Sequence, residues 1–167
     1  MNQTVFVLAV VFAGLAAPVS LMSDASLPYE KAPFENLVVS GQPSLEQLES
    51  VSSAGYTTVI NLRRAGEFDD FDEAAEVTRL GMAYVHIPVK DVESITPADA
   101  QALHEAITGA TGPVLLHCTI GWRAGGLLAI ERYLLHGASE AQASEIAAAA
   151  HMDHLRGDVK DWIDAQQ

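Results

Sequence analysis

The chain has 167 residues, 49% hydrophobic and 19% charged, the composition of one globular domain with a real core. A net charge of −13 with no basic run argues against nucleic acid and anionic membrane surfaces as partners, because both require clustered Lys and Arg. The single cysteine excludes an internal disulfide and a cysteine-rich zinc site.

Val5 to Leu15 is an unbroken apolar run that ends in Ala16, Ala17 and Pro18, with no charged side chain before Asp24. Residues 1–23 therefore read as a secretory signal peptide, or alternatively as an N-terminal anchor, although no Lys or Arg precedes the run. The expected location is periplasmic or secreted, with membrane contact only if the segment is retained. Residues 24–35 form a proline-containing lead-in, and residues 36–167 a single domain.

Leu37 to Ser40 reads as a short strand. Gly41-Gln42-Pro43 turns the chain, and Ser44 with Gln47 makes a capping box for a helix through Leu45, Leu48 and Val51. Thr57 to Leu62 is β-branched and continuous, as in a strand buried on both faces. The acidic run Glu67 to Glu76 is expected to open the next helix, which Gly81 ends; it lacks the glycine and spacing of a calcium loop. Ala83 to Val89 is a further strand, and Thr96-Pro97 starts a helix carrying Leu103, Ala106 and Ile107. Pro113 to His117 is an apolar strand that runs into Cys118, followed by a helix from Arg123 to His136 with Gly137 as its stop. Two more helices are expected, over 139–150 and about 158–165. Alternating strands and helices predict an α/β fold with a mostly parallel central sheet flanked by helices, and a ligand site beyond the strands' carboxyl ends.

Chemistry concentrates in His117-Cys118-Thr119-Ile120-Gly121-Trp122-Arg123. A strand delivers a cysteine, and a short loop with glycine opens a helix. Backbone N–H groups of such a loop (Thr119, Ile120, Gly121 and Trp122) form a nest for an anion, and the same field favours a thiolate at its first position. Arg123 would clamp an oxyanion with its planar fork. His117 is a candidate for tuning the thiol, or a satisfied core histidine. Arg63 is a candidate for adding positive potential at the mouth, or an ordinary arginine. Trp122 is expected to wall the pocket or simply to pack. His151 and His154 share a helical spacing with Asp153 nearby, but without a third ligand they do not make a metal site; no metal and no cofactor are expected.

These motifs resemble the phosphatase-like domain of beta-lactamase-hydrolase-like proteins, a bacterial relative of the dual-specificity and tyrosine phosphatases. The resemblance rests on Ser40-Gly41-Gln42-Pro43, TVINLR at Thr58 to Arg63, HIPV at His86 to Val89, HCTIGWRAG at His117 to Gly125 and AAAAHMDHL at Ala147 to Leu155. It implies a cysteine phosphatase-like (dual-specificity phosphatase-like) fold. It also implies phosphate monoester hydrolysis through a phosphocysteine, with Cys118 as nucleophile and Arg123 as clamp. The general acid would come from the loop after HIPV, with Asp91 first and Glu93 second, and its carboxyl group should titrate above the ordinary range.

Two features depart from those phosphatases. They carry Cys-x5-Arg, whereas this chain has Cys-x4-Arg, and the Ser or Thr that follows their arginine is Ala124 here. The shorter loop is similar to that of rhodaneses, so a persulfide-forming sulfurtransferase is the alternative, and an anion-binding pseudoenzyme the third reading. Expected partners are a small-molecule or protein phosphoester, or a sulfane-sulfur donor.

Overall fold

A computed structural model describes residues 26–28, 30–34, 36–150 and 155–166. The leader at 1–23, and His151, Asp153 and His154, lie outside the described residues. The elements are β1 (Lys31–Phe34), β2 (Leu37–Ser40), α1 (Leu45–Ser53), β3 (Thr58–Asn61), α2 (Glu73–Arg79), β4 (Ala83–His86), α3 (Pro97–Thr108), β5 (Val114–His117), α4 (Trp122–His136), α5 (Glu140–Ala150) and α6 (Leu155–Asp164), with a 3-10 turn at Val92–Ser94.

The strands form one sheet in the order β1-β2-β5-β3-β4, parallel except for β1, which pairs antiparallel with β2. Register lines up Val38, Leu115 and Val59 on one face, where they pack with Leu48, Val51 and Val77 of α1 and α2. Val39, Leu116 and Ile60 line up on the other face, against Leu103, Leu127, Leu128 and Ile163. Burial on both faces explains why these strands read as continuous apolar runs rather than alternating ones. β5 is central, so the residue that follows it emerges mid-sheet at the carboxyl edge, where open α/β sheets bind ligands.

Ser44 and Gln47 form the expected capping box on α1, and Thr96 with Asp99 forms one on α3. Three segments differ from the sequence reading. The lead-in contributes β1, an edge strand, where Pro33 removes no ladder bond that a central strand would need. α2 starts only at Glu73, because Asp72 caps it by accepting from Ala75 N–H, and Glu67 stays in the preceding loop. Strand β4 stops at His86 before Pro88, although the Ile87 and Val89 amides still bond to the Asn61 and Leu62 carbonyls.

Two adjacent glycines set how closely α4 is approached. A Cβ on Gly126 would lie 2.7 Å from Val92 Cγ2, and one on Gly125 would lie 3.0 Å from the Ala150 Cβ. The turn that carries Val92 and the end of α5 therefore lie against α4 backbone, which holds the segment after β4 beside the cysteine loop.

Candidate active site

Cys118 sits at the carboxyl end of β5 with 1% of its surface exposed, at the floor of a cavity of about 520 Å³. Its loop is tied to the end of β2: the Cys118 amide donates to the Ser40 carbonyl (3.4 Å), and the Gln42 amide to the Thr119 carbonyl (3.1 Å). The Gly121 N–H points at Cys118 Sγ, 3.1 Å away. Gly121 adopts φ +90°, a left-handed conformation that costs other L-residues free energy, and it begins α4 with no side-chain cap. No Ser or Asp side chain caps α4, and the positive end of the helix dipole meets the sulfur.

Arg123, in the first turn of α4, is mostly buried. Its Nη1 donates to Glu67 Oε1 (3.1 Å) and the Val89 carbonyl (2.8 Å), and its Nη2 to Glu67 Oε2 (2.7 Å) and Thr119 Oγ1 (2.9 Å). Burial opposes its charge, but the Glu67 carboxylate and the nearby Cys118 sulfur more than offset this and hold Arg123 above its ordinary value. The bond from Arg123 pulls the Glu67 carboxyl down to about 2, against burial and with help from Arg64. Glu67 is therefore the group that orients the clamp. The sequence reading placed it at a helix start, since nothing in a local acidic run signals a partner 56 residues away.

The other candidates divide. Thr119, Ile120 and Trp122 line the cavity with Cys118 and Arg123, and Trp122 donates from Nε1 to Asp158 Oδ2 at 3.2 Å. His117 points away into the core, fully buried, with Nε2 2.8 Å from Glu73 Oε1. Arg63 does not line this cavity. Its Nη2 lies 2.5 Å from Glu73 Oε2 and its guanidinium 4.4 Å from the Phe68 ring centre. Burial pushes the Glu73 carboxyl up, but His117 and Arg63 outweigh it and keep Glu73 below the ordinary range. The cations at the mouth are Lys90 and the next residue, Arg64, whose Nε bonds Glu67 Oε1 at 2.7 Å.

Asp91 reaches the cavity rim, but it caps the 3-10 turn by accepting from the Ser94 amide (3.0 Å) and lies 3.0 Å from Lys90 Nζ. Lys90 and Ser94 hold its carboxyl below the ordinary value, the opposite of the expected direction. Glu93 lines the same rim. Ala124, after the arginine, is fully buried and offers no hydroxyl.

Residues 31–135 match the family described as the beta-lactamase hydrolase-like protein, phosphatase-like domain. The chain belongs to that family. It is 36% identical over 137 residues to a beta-lactamase hydrolase-like protein of Xylella fastidiosa, a match that covers 79% of this chain and 31% of that one. The chain thus spans about a third of that relative's length. Among solved structures it is similar to a candidate phosphatase of Shewanella putrefaciens, with TM-score 0.66, 26% identity and coverage of 83% and 86% of the two chains. It shares its fold with P. aeruginosa TpbA, solved as a cysteine-to-serine form with phosphotyrosine, at TM-score 0.57, 18% identity and 79% coverage of each chain. The fold is that of the cysteine-based tyrosine phosphatases.

Proposed function

We propose that this protein hydrolyses phosphate monoesters with Cys118 as the nucleophile. The observation that carries the proposal is the Gly121 N–H directed at Cys118 Sγ on the cavity floor, with Arg123 beside it. In this reading the thiolate attacks phosphorus, the bond to the ester oxygen breaks, and water then cleaves the S–P bond to release phosphate. The α4 amides and Arg123 stabilise the charge that builds on the equatorial oxygens. Glu67 and the Val89 carbonyl keep the guanidinium in place, while the Arg123 Nη2–H that Thr119 Oγ1 accepts turns to the phosphoryl group.

The state of Asp91 narrows the substrate class. A carboxylate held ionised donates no proton to a leaving oxygen at neutral pH. Aryl phosphates, whose leaving groups are more acidic, therefore depend less on a proton donor than alkyl ones and fit better.

Ala124 favours a second reading, sulfur transfer. No hydroxyl follows the arginine to help water attack a phosphocysteine, whereas a persulfide on Cys118 passes directly to an acceptor. The test is to assay purified protein with p-nitrophenyl phosphate and, separately, with thiosulfate plus cyanide. Phosphatase turnover that falls on the order of 10⁴-fold or more in Cys118→Ser supports the proposal. Thiocyanate production without phosphatase turnover replaces it with the second reading. Activity on neither substrate, with sulfate still bound, leaves an anion-binding pseudoenzyme.

The apolar leader supports export as part of the same proposal. Mass spectrometry should find a mature N-terminus between residues 17 and 26.

A further inference from the structure

A second cluster of chemically active side chains lies at the far end of α4, away from the cysteine loop. Glu131 and His136 belong to α4 and His104 to α3. At 1.5 Å per residue, Glu131 is about 12 Å and His136 about 20 Å along the helix from Arg123.

Glu131 is 1% exposed, a charge that folding buries only when something compensates it. Its Oε2 faces Arg132 Nε at 3.2 Å, and its Oε1 faces two imidazoles. His104 Nδ1 lies 3.0 Å from Oε1, His136 Nε2 lies 2.9 Å from it, and the two ring nitrogens are 3.3 Å apart. Protons alone fill this triangle poorly. If both nitrogens donate to Oε1, their N–H groups crowd each other; if one donates to the other, Oε1 loses a partner. A single cation at the apex serves all three lone pairs at once.

The dimensions fit such an ion. Zinc bound tetrahedrally with bonds of about 2.0–2.1 Å spaces its ligand atoms about 3.3 Å apart. The three observed separations come within a few tenths of an ångström of one face of that tetrahedron. Both rings are neutral ligands if the remaining proton sits on His104 Nε2 and His136 Nδ1. The His104 and His136 side chains are 31% and 38% exposed, so the fourth vertex opens to water. The Arg132 guanidinium beside the other carboxylate oxygen offsets part of the buried Glu131 charge. The carbonyl end of the α4 dipole adds negative potential where the ion would sit.

We infer that His104 Nδ1, Glu131 Oε1 and His136 Nε2 form a three-ligand site for a divalent d-block ion, zinc by its donor set, which staples α3 to the carboxyl end of α4. Two imidazoles with one carboxylate suit zinc and its neighbours rather than calcium or magnesium, which prefer oxygen cages.

The experiment titrates untagged full-length protein carrying Cys118→Ser, which removes the competing thiol, with Zn2+ by calorimetry. It is repeated with Co2+ by visible absorption and with Zn2+ by thermal unfolding. The expected result is one equivalent bound, tetrahedral-type Co2+ bands, and an unfolding midpoint that rises with Zn2+ concentration. His104→Ala and His136→Ala, both at partly exposed positions, should weaken binding roughly 100-fold or more, and Zn2+ should no longer raise the unfolding midpoint above each variant's own metal-free value. His151→Ala with His154→Ala should leave binding unchanged. The inference is overturned if no saturable Zn2+ binding occurs. It is also overturned if binding survives loss of both His104 and His136, or if it is lost with His151 and His154 instead.

Discussion

At the amino end of α4 the backbone directs the Gly121 N–H at Cys118, whereas at the carboxyl end the last turns bring His136 and Glu131 against His104. At each end a glutamate meets an arginine, with the roles exchanged. At the amino end Arg123 faces the cavity and Glu67, which lines it too and also bonds Arg64, holds the guanidinium through both its oxygens. At the carboxyl end Glu131 presents an oxygen to the imidazoles and Arg132 lies on the carboxylate's other side. The aligned peptide dipoles give the exchange a physical reason, since the amino end favours an anionic ligand and the carboxyl end a cationic one. The proposed anion site and the inferred cation site thus sit at opposite ends of one helix, each with a counter-ion beside the residue that would face the ligand.

The largest effect expected from breaking this arrangement is at the clamp itself. Arg123→Lys keeps the charge but loses the fork that spans Glu67, Val89 and Thr119, and kcat/KM for an aryl phosphate should fall roughly 10²–10³-fold. Zn2+ binding at the other end should not change. An Arg123→Lys enzyme that works at near wild-type rate would remove Arg123 from the proposal.

Glu67→Gln tests the grip. It should lower kcat by about tenfold, because the guanidinium keeps the Val89 and Thr119 contacts but loses its bidentate partner. The same variant should also change acid sensitivity. The Glu67 carboxyl titrates at about 2 in the folded protein, against an ordinary 4.5. Its contribution to stability is therefore complete above about pH 4.5 and is lost as pH falls toward 2. Unfolding curves of wild type and Glu67→Gln should converge across that window, and a constant gap down to pH 2 would contradict the assigned pair.

Between the two ends, Gly126→Ala should cost about 1–3 kcal/mol in denaturant unfolding, since its Cβ meets Val92 Cγ2 at 2.7 Å. Adding Val92→Ala should recover much of the loss. No recovery would show that the strain lies elsewhere.

The smallest effect belongs to Asp91→Asn. Aryl phosphate turnover should stay within about threefold of wild type, because a carboxylate held below its ordinary range supplies no proton near neutrality. A loss of about 10²-fold or more would restore Asp91 as the acid and require substrate to displace Lys90 from it.

Sequence periodicity and caps made most of the fold legible. The apolar runs at Val38–Val39, Val59–Ile60 and Leu115–Leu116 signalled strands buried on both faces, and the Ser44–Gln47 capping box and the Thr96-Pro97 pair marked where α1 and α3 begin. β1 is not signalled because a continuous apolar run marks a strand in sequence, and the four residues Lys31–Phe34, with a lysine and a proline among them, do not make one. Of the site, Cys118, Gly121 and Arg123 were readable because all three lie within one strand–loop–helix junction, where spacing alone dictates proximity.

The rest came from distance in sequence. Arg63 and Arg64 are adjacent and chemically alike, yet one is buried against Glu73 while the other reaches the cavity. Nothing in composition separates them, because the outcome depends on where α2 begins and which side chain its first carboxylate meets. The same holds for Glu67 with Arg123, and for His104 with Glu131 and His136. Local sequence determined what the cysteine loop is, through hydrogen bonds and dipoles that act within a few residues. Which carboxylate orients the Arg123 guanidinium and which histidines converge were decided only when packing brought segments from distant parts of the chain into contact.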